Sequence, residues 1–165
     1  MKENEFNDQN ETPEKEAYLM NENELLKGLL EAAQGKSSEE NFVRLEVARN
    51  GKVYFNFRIR PLSEEEYTKC REDATKYVRN KQFGGIKLPE DTNTVRFRSA
   101  LIYTATVEED RKKIWDNKEA QKALKVLNGV DMIDQVLFAG EKDKILERID
   151  SISGYESKLE EVAKN

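Results

Sequence analysis

Two short runs of alternating apolar residues flank Arg49-Asn50-Gly51, and they constrain this 165-residue chain more than any other feature. Val43, Leu45 and Val47 alternate with polar residues, and so do Val53, Phe55, Phe57 and Ile59. A period of two is the mark of a strand with one buried face. Asn-Gly between two such runs marks a hairpin. A two-residue turn pairs Ala48 with Val53 and Leu45 with Asn56, which sends the two apolar sets to opposite faces. A three-residue loop, with Gly51 left-handed in a G1 bulge, gives the only register with one buried face. It pairs Val47 with Val53, Leu45 with Phe55 and Val43 with Phe57. The sequence therefore predicts an antiparallel hairpin over about 42–60, closed by a three-residue loop.

The rest of the chain reads as helix. Leu25, Leu26, Leu29 and Leu30 recur at helical spacing within 21–33, with Asn21 or Asn23 able to cap. Gly35-Lys36-Ser37-Ser38 reads as a linker. Ser63 and Glu66 form a capping box that opens a helix over 63–80, with Tyr67, Cys70, Ala74, Tyr77 and Val78 on one face. Gly84-Gly85 breaks the chain at a hinge or tight turn. A helix over 92–107 starts from Asp91 or Thr92, although Thr94, Thr104, Thr106 and Val107 favour strand. Trp115 is placed to pin the following connection to the core. Residues 117–152 give further helices, with Asn117 and Asp131 as caps and Asn128-Gly129 as a stop. The predicted fold class is α+β, mostly helical, with one antiparallel β-hairpin packed against several short helices. The predicted organisation is a disordered acidic tail over 1–20, a single domain over 21–155 and a charged tail over 156–165.

The chemistry open to the chain is narrow. It has no histidine and one cysteine. There is no imidazole to serve as a general base near neutral pH, and no Ser-His or Cys-His pair. No His/Cys cluster exists to hold zinc, and a lone thiol makes no disulfide framework. Cys70 lies on the apolar stripe of its helix and reads as a small core residue. The composition points to a protein that works by binding, without catalysis or cofactor. The first residues are polar and no apolar run approaches a membrane span, so a soluble cytoplasmic protein without a signal peptide is expected.

Charge is unevenly placed. Residues 1–41 hold 11 acidic and 4 basic side chains, a net −7, within a chain of net −5. The body is near neutral, which disfavours nucleic acid as the main ligand. The acidic runs Glu64-Glu65-Glu66 and Glu108-Glu109-Asp110 read as solvated helix starts or loops. Gly84-Gly85 matches no phosphate-binding loop. Tyr54, Arg58 and Arg60 share the polar face of the hairpin, where Arg and Tyr suit a protein interface. The candidate partner-binding residues are therefore Leu25, Leu26, Leu29 and Leu30 on the first helix, and Tyr54, Arg58 and Arg60 on the open hairpin face. The leucine stripe also has a plainer reading, as a helix packed on its own body.

Several runs resemble one family. They are Phe55-Asn56-Phe57-Arg58-Ile59-Arg60-Pro61-Leu62-Ser63-Glu64-Glu65-Glu66-Tyr67, Gly84-Gly85-Ile86-Lys87-Leu88-Pro89, Arg98-Ser99-Ala100-Leu101-Ile102-Tyr103-Thr104-Ala105-Thr106-Val107 and Ile114-Trp115-Asp116-Asn117. Together they are similar to the XkdN-like tail assembly chaperones of Gram-positive contractile-tailed phages. Gly129-Val130-Asp131-Met132-Ile133 and Val136-Leu137-Phe138-Ala139-Gly140-Glu141 resemble the broader chaperone pattern, in which a Leu-x-x-Gly-Glu turn precedes the last helix. The likeness runs from about Glu24 to Tyr155. It implies a non-enzymatic protein of the bacterial host cytoplasm that is absent from the mature particle. Such a protein binds the tape measure protein and keeps it soluble while the tail tube assembles. The tail tube protein and a second copy of the chain are further partners. The resemblance carries no catalytic or cofactor residues. The competing reading is a structural tail or baseplate component, with a nucleic-acid-binding regulator behind it.

Overall fold

The structure of the protein, a computed structural model, describes residues 21–156. The tails expected over 1–20 and from 156 onward lie outside the described residues, apart from Glu156 itself. The chain divides into two units after Ser38. The first contains helix α1 (Glu22–Lys36). Asn21 caps it by accepting a hydrogen bond from the Glu24 amide at 2.9 Å. The helix runs through Gly28 and Gly35 and ends against Ser37, so the segment expected as a linker from Gly35 is helical for its first two residues.

In the second unit, the first hairpin forms as expected from strands β1 (Val43–Arg49) and β2 (Lys52–Ile59). Its closure differs from the predicted one. Asn50 and Gly51 form a two-residue turn with φ of 52° and 77°, and Arg49 pairs with Lys52. The register shifts instead inside the ladder. Ala48 pairs with Val53, but Val47 pairs with Phe55, Leu45 with Phe57 and Val43 with Ile59. Tyr54 is the extra residue of a β-bulge. The demand for one buried face is met, by a bulge beside the turn rather than by a longer loop. Val53 consequently falls outside the apolar face and is exposed.

Helix α2 (Glu64–Asp73) opens at the predicted capping box, where Ser63 Oγ accepts from the Glu66 amide at 3.2 Å. It stops well short of the predicted end at 80. Residues Thr75–Asn80 are strand β3, paired antiparallel with β4 (Ile86–Thr92) in a second hairpin absent from the sequence reading. Its loop contains a short 3-10 turn, Lys81–Phe83, followed by Gly84 and Gly85 at φ of 68° and 80°. Those two left-handed positions are what glycine supplies at little cost. Helix propensity in Lys76-Tyr77-Val78 is weak, and the ladder to Ile86–Thr92 prevails over it.

Helices α3 (Thr94–Ala105), α4 (Glu108–Lys113), α5 (Lys118–Leu124), α6 (Gly129–Val136) and α7 (Ala139–Asp150) complete the unit. A π-type turn, Ser151–Tyr155, follows α7. Asn93 caps α3 in place of the expected Asp91 or Thr92, and Asn128 caps α6 in place of Asp131. Among the described residues the architecture is α+β, mostly helical, with two small antiparallel hairpins.

The core of this unit sits between the inner face of β1–β2 and helices α3, α6 and α7. Phe57, Ile59, Ile102, Trp115, Ile133 and Ile149 are fully buried. The Trp115 ring meets Phe55 and Phe57 edge-on, at centroid distances of 5.7 and 5.6 Å. Its indole N–H donates to Thr106 Oγ1 at 2.9 Å, so the pinning role read from the sequence is realised. Ala105–Val107 also lines the outer edge of β2. The Arg60 amide donates to Ala105 O, and the Val107 amide donates to Arg58 O. This satisfies an edge that would otherwise stay open, and it accounts for the strand-like residues at the end of α3. At the start of α6, Gly129 faces Tyr103. A Cβ there would lie 2.3 Å from that ring, so only glycine fits the close approach.

Candidate partner-binding surface

The polar face of the first hairpin is closed at two of its three predicted contact residues. Arg58 donates through Nε and Nη2 to the two carboxylate oxygens of Asp110, at 3.0 and 3.1 Å. Its Nη2 also reaches Glu109 at 3.0 Å, and its backbone amide donates to Asp110 Oδ2 at 2.7 Å. The acidic first turn of α4, read from sequence as a solvated helix start, is thus the counter-charge of β2. Those hydrogen bonds from Arg58 hold the Asp110 carboxyl below its ordinary value. Arg60 forms a two-pronged pair with Glu66 at 3.1 and 2.7 Å. Burial pushes the Glu66 carboxyl up, and the bonds and charge of Arg60 more than offset this. Arg58 and Arg60 are therefore not an open basic face, because each guanidinium already has a carboxylate from a neighbouring element. Tyr54 remains exposed, with the Arg49 and Lys52 cations 5.5 and 5.2 Å from its ring centre.

Arg49 ties the turn end of β1 to α7. It donates to both oxygens of Glu141, at 3.0 and 2.7 Å, and to Val136 O at 2.6 Å. Glu141 also accepts the Phe138 amide at 2.8 Å, which satisfies a free donor at the start of α7. The Glu of the Leu-x-x-Gly-Glu turn thus has two jobs, closing a helix end and fixing β1. Hydrogen bonds from Arg49 hold its carboxyl below the ordinary range. Beside this clamp runs a half-open groove of ≈ 220 Å³. Leu45, Val47, Phe57 and Ile145 line it, with Lys144 and Glu141 among its polar residues. Phe138 stands exposed next to it, its ring 4.5 Å from the Arg49 guanidinium carbon.

The second hairpin was missed by the sequence reading, and it carries the largest run of exposed apolar side chains in its unit. Val78 pairs with Leu88 and Asn80 with Ile86, so Val78, Leu88 and Ile86 share one face. All three are exposed, Ile86 to 60%, and Phe83 at the tip to 62%. The root is fixed to α2 and α3. The Asn93 amide donates to Ala74 O at 2.9 Å, and the Thr75 and Thr92 hydroxyls lie 2.9 Å apart. The available signal was Gly84-Gly85 between two β-branched stretches, which reads equally as a hinge after a helix.

On α1, Leu25, Leu26, Leu29 and Leu30 lie on one stripe as predicted, each half or more exposed. Cys70 is buried with Sγ 3.4 Å from Thr104 Oγ1, and burial pushes its thiol up, away from the reactive thiolate. Among the described residues no group of three His, Cys, Asp or Glu side chains could hold a metal ion, and no helix is long and apolar enough to cross a membrane.

The sequence model of the phage XkdN-like tail assembly chaperone proteins matches residues 19–165. The chain belongs to that family. No curated protein matches it. Among solved structures, the crystal structure of the protein yqbn is similar over 70% of this chain and 87% of that one, with 18% identity and a TM-score of 0.44. The stretches that suggested the family occupy defined places in this tail assembly chaperone. The run from Phe55 to Tyr67 spans β2 and the capped start of α2, while Gly84–Pro89 spans the loop and first half of β4. The run from Arg98 to Val107 is most of α3 with the segment that lines β2.

Proposed function

We propose that this tail assembly chaperone binds the tape measure protein and keeps it soluble while the tail tube assembles, with no covalent chemistry of its own. It acts in the cytoplasm of the bacterial host and leaves before the particle is complete. Membership of the chaperone family, over residues 19–165, carries this reading. The exposed surface is compatible with it. A long helical ruler presents apolar stripes before the tube encloses it, and such stripes need temporary cover. The second hairpin, the leucines of α1 and Phe138 beside Arg49 offer several separate exposed apolar contacts. Several weak contacts suit a cover that must come off again. The contacts are proposed at Leu25, Leu26, Leu29, Leu30 and Tyr54, which are exposed, rather than at Arg58 and Arg60, whose charges are already used.

The test is co-expression with the cognate tape measure protein, scored by its soluble fraction and by co-purification. Rescue together with a co-purified complex supports the reading, and neither appearing rejects it. Mass spectrometry of purified particles separates it from a structural tail component, since the chain should be missing from finished tails.

A further inference from the structure

The second hairpin breaks a local rule. Arg79 in β3 stands directly opposite Lys87 in β4. Like charges across a ladder are destabilising. From Lys76 to Leu88 the hairpin holds four basic residues and no acidic one. Lys76 is paired with Glu90 at 2.9 Å, near the root. Arg79, Lys81 and Lys87 have no ion-pair partner among the described residues. The first hairpin also sets like charges across its ladder, Arg44 opposite Arg58 and Arg49 opposite Lys52, but there Arg49 and Arg58 are each met by a carboxylate and Arg44 donates to Asn56 Oδ1 at 3.3 Å. Among the described residues, nothing is packed over the face carrying Val78, Ile86 and Leu88 that would bury them. A two-stranded ribbon without a covered face is marginal in water.

We infer that the β3–β4 hairpin is a docking arm for an acidic amphipathic helix of a partner protein. The partner's apolar stripe would lie across Val78, Ile86 and Leu88, and its acidic flanks would meet Lys81 at the loop and Arg79 and Lys87, which start from the opposite face of the ribbon. Long Arg and Lys side chains can reach around a ribbon two strands wide. A helix fits better than an added strand, because the exposed apolar side chains lie on a face of the ribbon and not along its edge. The β4 edge is also broken, since Pro89 brings no N–H and Glu90 is the extra residue of a bulge. A peptide fits better than nucleic acid, because the open face is aliphatic and bases stack on aromatic rings. The inference rests on the reading that this chaperone covers apolar segments, and it adds the place and the partner's charge.

The test uses the full chain and a synthetic helix-forming peptide of about 18 residues, with leucines at helical spacing flanked by glutamates. Its counterpart carries lysines in place of the glutamates. The chain has a net charge of −5, so non-specific attraction would favour the lysine peptide. Binding of the glutamate peptide, weakened by salt and about tenfold tighter than the lysine peptide, is the expected result. Arg79→Glu should weaken it about tenfold. That variant puts opposite charges across the ladder, so its loss of binding is not loss of the hairpin. Leu88→Ser should weaken it similarly, with unchanged Trp115 fluorescence reporting an intact core. Equal binding of both peptides, or unchanged binding by both variants, overturns the inference. So does tighter binding of a single DNA strand of about 20 nucleotides, or self-association that Arg79→Glu abolishes, which would give the face to nucleic acid or to a second copy. If wild type and Arg79→Glu rescue the tape measure protein equally, the chaperone function stands and the docking arm falls.

Discussion

The two hairpins of this protein have similar lengths and opposite fates. In β1–β2 the apolar face is buried in one cluster with Trp115 and Ile133; Arg49 and Arg58 are paired with Glu141 and Asp110, and Arg44 donates to Asn56. In β3–β4, among the described residues, the apolar face is open and two basic residues oppose each other without an acidic partner. The first hairpin is thus satisfied within the chain. The second is left with both an uncovered face and unspent charge. A hairpin's role is settled by what lies across from it, since the strands alone look alike.

The contrast can be broken most sharply in the first hairpin's core. Phe57→Ala removes a fully buried ring that touches Trp115, and should cost about 3–5 kcal/mol in urea unfolding. Leu88→Ala on the second hairpin should cost about 0.5 kcal/mol or less by the same measurement. A cost for Leu88→Ala near that of Phe57→Ala would show that the second hairpin is as built-in as the first.

Gly129→Ala comes next. A methyl group 2.3 Å from the Tyr103 ring forces α6 away from α3, at a cost of about 1–3 kcal/mol. Thermal unfolding of Gly129→Ala, of Tyr103→Ala and of the double variant separates the clash from helix propensity. If the ring is the obstacle, the double variant should lose less than the two single variants added together.

A smaller effect comes from the ion pairs that distinguish the first hairpin. Asp110 and Glu141 both have carboxyls held below the ordinary range by arginine hydrogen bonds. A group with a depressed folded pKa stabilises the fold above the ordinary carboxylate value, about 4, and loses that contribution as pH falls through the depressed value. Asp110→Asn should therefore lower stability at pH 7 and flatten the acid side of the stability curve below about pH 4. An acid limb unchanged from wild type in urea titrations would dismiss the pairing as a stabiliser.

The smallest expected effect has the opposite sign. Arg79→Glu relieves the like-charge pair with Lys87 and should stabilise the second hairpin by about 0.2–1 kcal/mol. Slower hydrogen exchange at the Val78 and Arg79 amides would register it. Faster exchange would mean that the basic pair is already neutralised within the chain.

Much of this was legible in the sequence, where the signal was local. The apolar alternation from Val43 to Ile59 required one buried face, the Ser63 capping box opened α2, and Asn117 capped α5. Trp115 took the core position its indole suggested. The losses came where distant residues compete. Alternation required one buried face, and the three-residue loop expected to supply it gave way to a two-residue turn with a bulge at Tyr54. The stripe from Tyr67 to Val78 fitted a helix until β4 offered a ladder. Arg58 and Arg60 looked available because their partners lie 52 and 6 positions away, on other elements.

By itself the sequence determined the α+β class, the first hairpin's inward face, most helix starts and, through its short motifs, the family. Those rest on side-chain period and on caps within four residues, which any stretch of chain carries with it. The tertiary structure alone decided which hairpin is covered, which arginines are already paired and why Gly129 must be glycine. Each of these depends on a contact between segments far apart in the chain, and no local pattern encodes the charge or shape of a distant neighbour.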